Sequence, residues 1–103
     1  MTKIVFGLKR AEGMSREEFE RYYMNEHAPM AEEMSGVQRY TVAFPAEEDA
    51  EYDALAEVHF EDRDSLDAAL ASDAGRAAGA DLANFADTDD MLQLIVEENV
   101  VVG

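Results

Sequence analysis

YDALAEVHF, residues 52–60, alternates along its length: Tyr52, Ala54, Ala56, Val58 and Phe60 fall on one face of an extended chain, and Asp53, Leu55, Glu57 and His59 on the other. A period of two predicts a β-strand, the third of the chain. Just before it, VQRYTVAF (37–44) is β-branched and aromatic and is closed by Pro45, which predicts the second strand. Only the acidic stretch 46–51 separates the two, a solvated loop because nothing in it could offset burial. Upstream, KIVFGLK (3–9) predicts the first strand, ending before the turn signal Glu12-Gly13. Ser15 and Glu18 form a capping box that opens a helix, whose apolar positions Phe19, Tyr22, Tyr23, Met30 and Met34 keep a 3.6-residue period up to a stop at Gly36. Downstream, Asp62 or Asp64 caps a helix carrying Leu66 and Leu70. Ser72-Asp73 restarts a shorter helix through Arg76, Ala78 and Leu82 to Phe85, in which Gly75 and Gly79 each cost roughly 1 kcal/mol relative to alanine. After the turn DTDD (87–90), MLQLIVEENVVV (91–102) contains the last strand. The order β-α-β-β-α-β is the split βαβ pattern of ferredoxin-like α+β folds with an antiparallel sheet, here one domain over residues 1–103.

Such a unit carries both helices on one face of its sheet and leaves the other bare. Leu55 opposes Val58 and Phe60, and the last strand is almost continuously apolar, so both faces are apolar. A bare apolar face would be a large exposed patch, which predicts a homodimer with two sheets face to face and Leu55, Glu57 and His59 buried.

Twenty-four acidic residues against eight basic ones give a formal net charge of −16, with Lys3 and Lys9 the only lysines. That field repels phosphate backbones and anionic lipids, which argues against nucleic-acid and membrane partners. Abundant Asp, Glu and Ala with scarce Lys suits a salty, halophilic cytoplasm, where screening relieves the self-repulsion. With no long apolar run and no signal-peptide-like opening, cytoplasmic residence is expected. Cysteine is absent, which removes thiolate chemistry, and two histidines are too few for an expected metal site.

The helix also contains NEHAP (25–29). His27 lies four residues after Tyr23 and eight after Phe19, so all three project to one side, and Met30 continues it. Spacing alone is equally met by a core histidine bonded to a backbone carbonyl. Pro29, however, predicts a kink or stop at Ala28, which would turn His27 toward a cavity, where an imidazole serves as general acid or base. On the third strand, Glu57 and His59 share a face and require partners if buried, unless solvent or Arg39 satisfies them at the strand end. Tyr22, Tyr23, Tyr40 and Tyr52 offer phenol donors, although tyrosines at core-edge positions mostly pack, and the methionines 24, 30 and 34 form pliable core or pocket lining.

GMSREEFERYYMNEHAPM (13–30) and YDALAEVHFEDRDSLDAALASDAGRAAGADLANFAD (52–87) together resemble the EthD domain family, named for ethyl tert-butyl ether degradation. The first has its G-M-S/T opening, aromatic helix and H-x-P; the second its Y-D strand with A-E, its capped Leu/Ala helix and its N-F close. The resemblance implies a dimeric α/β barrel with a cavity beside each sheet, and an association with oxidoreductase systems. By position it assigns His27 to the H-x-P histidine, Glu57 to the A-E acid, and Asn84 and Phe85 to the N-F pair. His59 departs from the apolar or aromatic residue common there.

Three functions follow. In the first, a small enzyme acts on a hydrophobic, aromatic or polyketide-like carbonyl compound without a cofactor, as a monooxygenase-like oxidoreductase if the substrate itself forms a stabilised carbanion. Here His27 moves the proton, Glu57 orients or polarises and Tyr23 or Tyr40 hydrogen-bonds an oxygen, while Phe19, Met30, Tyr40, His59, Asn84 and Phe85 line the substrate site. In the second, the same cavity holds a small apolar ligand without catalysis, or supports a redox pathway. The third is a dimer kept only for structural interaction.

Overall fold

In the computed structural model, which describes residues 1–103, the alternating stretch becomes strand β3 (Ala54–Phe60). It pairs antiparallel with β1 (Thr2–Leu8) on one side and β2 (Arg39–Ala43) on the other, and β4 (Leu92–Glu97) completes the order β2-β3-β1-β4 along the far edge of β1. Register places Ile4 opposite Val58 and Phe6 opposite Ala56, so the small and branched residues of the two central strands form one continuous apolar face. All helices pack on that face. Leu8, Phe19, Tyr23, Ala54, Ala56, Leu82 and Phe85 build one half of the core, and Ile4, Met34, Val58, Phe60 and Leu66 the other.

Ser15 caps α1 (Arg16–Tyr22) through the expected reciprocal box with Glu18. Of the kink or stop expected at Ala28-Pro29, the stop does not occur. Tyr23–His27 instead form one π-helical turn, and the chain runs on without a stop into α2 (Ala28–Glu32), with Ala28 at φ −58°, ψ −42°. The Ala28 N–H reaches back to the Tyr23 carbonyl, five residues away. Widening the helix there relieves the clash that a proline ring makes with the preceding turn and absorbs its missing donor. Gly36, at φ +85°, ends the segment in the left-handed region that glycine tolerates.

The second helical region is two helices, α3 (Arg63–Ala71), capped by Asp62, and α4 (Asp73–Asp81), capped by Ser72. They meet at a tight corner. A Cβ at Gly75 would stand 2.1 Å from the Ala69 carbonyl oxygen, so no other residue fits there. A single turn of 3-10 helix (Leu82–Asn84) then delivers Phe85 into the core.

On the opposite sheet face, the one expected to be buried by a second copy, Leu55 and Leu94 are 42% and 49% exposed, and no element of this chain covers them. Glu57 is half-buried, and His59 is buried beside it.

Candidate functional site

The π turn aims His27 between the sheet and α4. Its ring is 6% exposed and packs against Phe85, 4.9 Å between centroids, and edge-on against Tyr23 at 5.4 Å. A cavity of about 350 Å³ opens beside it. Ile4, Phe6, Ala56 and Val58 of the sheet form its floor, and Tyr23, Tyr40 and His27 supply polar groups. Across from the floor, α4 contributes the small residues Gly75, Ala78 and Gly79, together with Arg76, before Leu82.

The partner of His27 is Asp81, the last residue of α4, with Nδ1 2.9 Å from Oδ2. Asp81 is 7% exposed and receives two further hydrogen bonds at Oδ1, from the Tyr22 hydroxyl (2.7 Å) and the Asn84 amide (2.9 Å). Burial alone would raise its carboxyl. The hydrogen bonds from Tyr22, Asn84 and His27 outweigh that and hold it below the ordinary carboxylate range. An ionised carboxylate can only accept, so Nδ1 of His27 carries the proton it donates. In the neutral imidazole Nε2 is then a free acceptor on the cavity side. Burial, with Tyr40 alongside, pushes the Tyr23 phenol well above its usual value, and burial also raises Tyr40, against a hydrogen bond with Tyr23 that lowers it. Both stay protonated donors.

The structure divides the expected site. His27, Tyr23 and Tyr40 line the cavity. Phe85 backs the His27 ring, and Phe19 lies behind it, 5.5 Å from Phe85 between centroids and wholly buried. Neither phenylalanine reaches the lumen. Asn84 is exposed and acts through Asp81. Met30 is half-buried on α2 but outside the cavity, which Ala31 and Met34 of the same segment line instead. Glu57 and His59 are not part of it, because they point from the opposite face of β3. There Glu57 accepts from Lys3 at 2.5 Å, Glu98 accepts from the same amine at 3.0 Å, and the buried Nε2 of His59 has no hydrogen-bond partner within the chain. Glu57 therefore does not reach His27; Asp81 does. Sequence reasoning missed Asp81, although it falls three residues after Ala78 and four before Phe85, an acid on the buried stripe of its helix.

Comparison with known proteins follows the same lines. An uncharacterised 11.0 kDa protein from the thcB-thcC intergenic region of Rhodococcus erythropolis is 30% identical over 88 residues, 82% of this chain and 84% of that one. The crystal structure of an ethyl tert-butyl ether degradation family protein from Bacillus halodurans superposes with a TM-score of 0.81 at 24% identity, over 96% of this chain and all of the other. A dimeric ferredoxin-like protein of unknown function from Bacteroides fragilis gives 0.73 at 12% identity over 94% and 95% of the two chains. SnoaB, a cofactor-independent oxygenase from Streptomyces nogalater, gives 0.70 at 16% identity over 98% and 97%. The EthD domain family itself matches residues 11–89, a span that contains the π turn, β2, β3 and the whole of α4 with Asp81. Fold, relative and family match agree, and the chain belongs to the EthD family.

Proposed function

We propose that the protein binds a small hydrophobic, aromatic carbonyl compound in the cavity and that His27 Nε2 removes a proton from it. The observation that carries this reading is the orientation of His27: Asp81 holds Nδ1 at 2.9 Å while the ring borders an apolar cavity. Withdrawal of a proton next to a carbonyl leaves an enolate, and the protonated phenols of Tyr23 and Tyr40 are suited to donate to its oxygen. With dioxygen as second substrate such a carbanion is itself the electron donor, and the reaction class is an oxygenation. The fold shared with a cofactor-independent oxygenase supports that oxidoreductase reading.

2-Tetralone in D2O, a bicyclic ketone with acidic protons beside its carbonyl, tests the proton-transfer step whatever the natural substrate is. The native protein is expected to accelerate deuterium uptake at the carbon next to the carbonyl, read by NMR. His27→Ala should slow it by about 10²-fold or more while binding the ketone as tightly. Binding without acceleration by the native protein would favour the non-catalytic, accessory reading, and an unaffected His27→Ala would remove His27 from the chemistry.

We further propose that two copies pack their open sheet faces together, burying on the order of 800 Å² on each. Leu55, Leu94 and their neighbours supply the apolar part, and a second copy would bring polar groups to the unpartnered His59 nitrogen. The dimeric relative of the same fold supports this assembly. The charge of −16 on each copy favours a salt-rich cytoplasm as its setting. From low to molar KCl the melting temperature is expected to rise by roughly 10 °C, corresponding to about 2 kcal/mol. A flat thermal series would reject the halophilic reading.

A further inference from the structure

Resting on the ligand-binding reading of the cavity, we propose that the ligand is a flat molecule of about two fused rings bearing a carboxylate at the end far from His27, and that Arg76 binds that carboxylate. Arg76 is the only lysine or arginine among the cavity-lining residues; it stands on α4 with its side chain largely in solvent. Its one ionic partner, Asp73, is 2.9 Å away, but the two side chains are 71% and 100% exposed. An exposed pair of this kind is worth little, so the guanidinium is free to exchange Asp73 for a ligand oxygen. A planar fork of N–H donors matches a carboxylate in two parallel bonds. In a chain of net charge −16, long-range attraction does nothing for an anion, so recognition must come from a local cation.

Spacing along α4 sets the ligand length. Asp81, which holds His27, follows Arg76 by five residues, a rise of about 7.5 Å along the helix. The proton-bearing end and the acidic end are therefore separated by roughly a two-ring skeleton. Gly79 lies between them and also faces the cavity. Unlike Gly75, it has no neighbour that requires glycine: a Cβ there would meet no atom within 4 Å, and its φ is not positive. A helix-interior glycine with no packing reason leaves a bare stretch of backbone over which a flat ring can slide.

The pair 6-hydroxy-2-naphthoate and its methyl ester tests the assignment by calorimetric titration at one fixed KCl concentration. The native protein should bind the acid about tenfold more tightly than the ester. Arg76→Gln should abolish that preference while leaving the ester within twofold, and Arg76→Lys should restore part of it. Gly79→Leu, checked for folding by circular dichroism, should weaken both probes tenfold or more. Equal binding of acid and ester by the native protein, or an undiminished preference in Arg76→Gln, overturns the carboxylate assignment and leaves the cavity reading standing. Unchanged binding in Gly79→Leu overturns the proposed path over α4. If neither probe binds the native protein, the ligand-cavity reading itself fails and this inference with it.

Discussion

Leu94→Asp is expected to turn a dimer into a folded monomer, read by native mass spectrometry or sedimentation at fixed molar KCl. Leu94 stands opposite Val5 on the open face, and Leu55 stands opposite Gly7 two positions along the same strand, so the two leucines flank one apolar patch. A carboxylate there meets water in the free chain and costs folding little. Between two sheets it would be desolvated, and Lys3, the cation of the neighbouring strand β1, is already held by Glu57 and Glu98; the cost is about 3 kcal/mol per copy. In a two-fold dimer every substitution occurs twice, so the total is about 6 kcal/mol, a loosening on the order of 10⁴-fold. Leu55→Asp should do the same from the neighbouring strand. Retention of the dimer by both variants would show that copies associate elsewhere, if at all. Salt belongs to the same experiment, because two chains of −16 each must approach. Low salt should favour dissociation even of the native protein.

The sheet was legible because strand periodicity and burial carry the same information: residues 54, 56, 58 and 60 are buried for the reason that they alternate. The Ser15–Glu18 cap and the shared side of Phe19, Tyr23 and His27 were legible for the same kind of reason, a local pattern with a local cause. Strand alternation separates two faces but does not say which one the helices cover. Glu57 and His59 do share one face of β3, but the histidine they were expected to join serves the other. Of the kink or stop that Pro29 predicts, the stop gives way to a π turn. An i to i+5 turn leaves no mark in hydrophobic period, and a proline is accommodated by widening a helix as well as by ending it. Asp81 was hidden by composition, one carboxylate among twenty-four acidic residues; only its register on the stripe of Ala78, Leu82 and Phe85 distinguished it.

That buried carboxylate is where a single atom should matter most. Asp81→Ala leaves the Tyr22 hydroxyl, the Asn84 amide and His27 Nδ1 without their common acceptor, and should cost about 3–5 kcal/mol in urea unfolding at neutral pH. Asp81→Asn keeps the shape and separates charge from packing, with a smaller loss of about 2 kcal/mol. The pH dependence of that loss has a definite sign. Because hydrogen bonding holds the native carboxyl below its unfolded value, its contribution is present in full above about pH 4 and disappears as pH falls through the lower native value. The stability gap between native protein and Asp81→Asn should therefore be constant from neutrality down to about pH 5 and close in stronger acid. A gap that stays open there would mean that the native carboxyl is not depressed. Chemistry should suffer more than stability. An amide N–H directed at Nδ1 forces the ring proton onto Nε2, so the nitrogen facing the cavity changes from acceptor to donor. Deuterium uptake by 2-tetralone should then fall about 10²–10⁴-fold with the ketone still bound, the loss expected when a base is held in the wrong tautomer. If Asp81→Asn exchanges deuterium as fast as the native protein, Asp81 serves packing alone and His27 needs no partner to act.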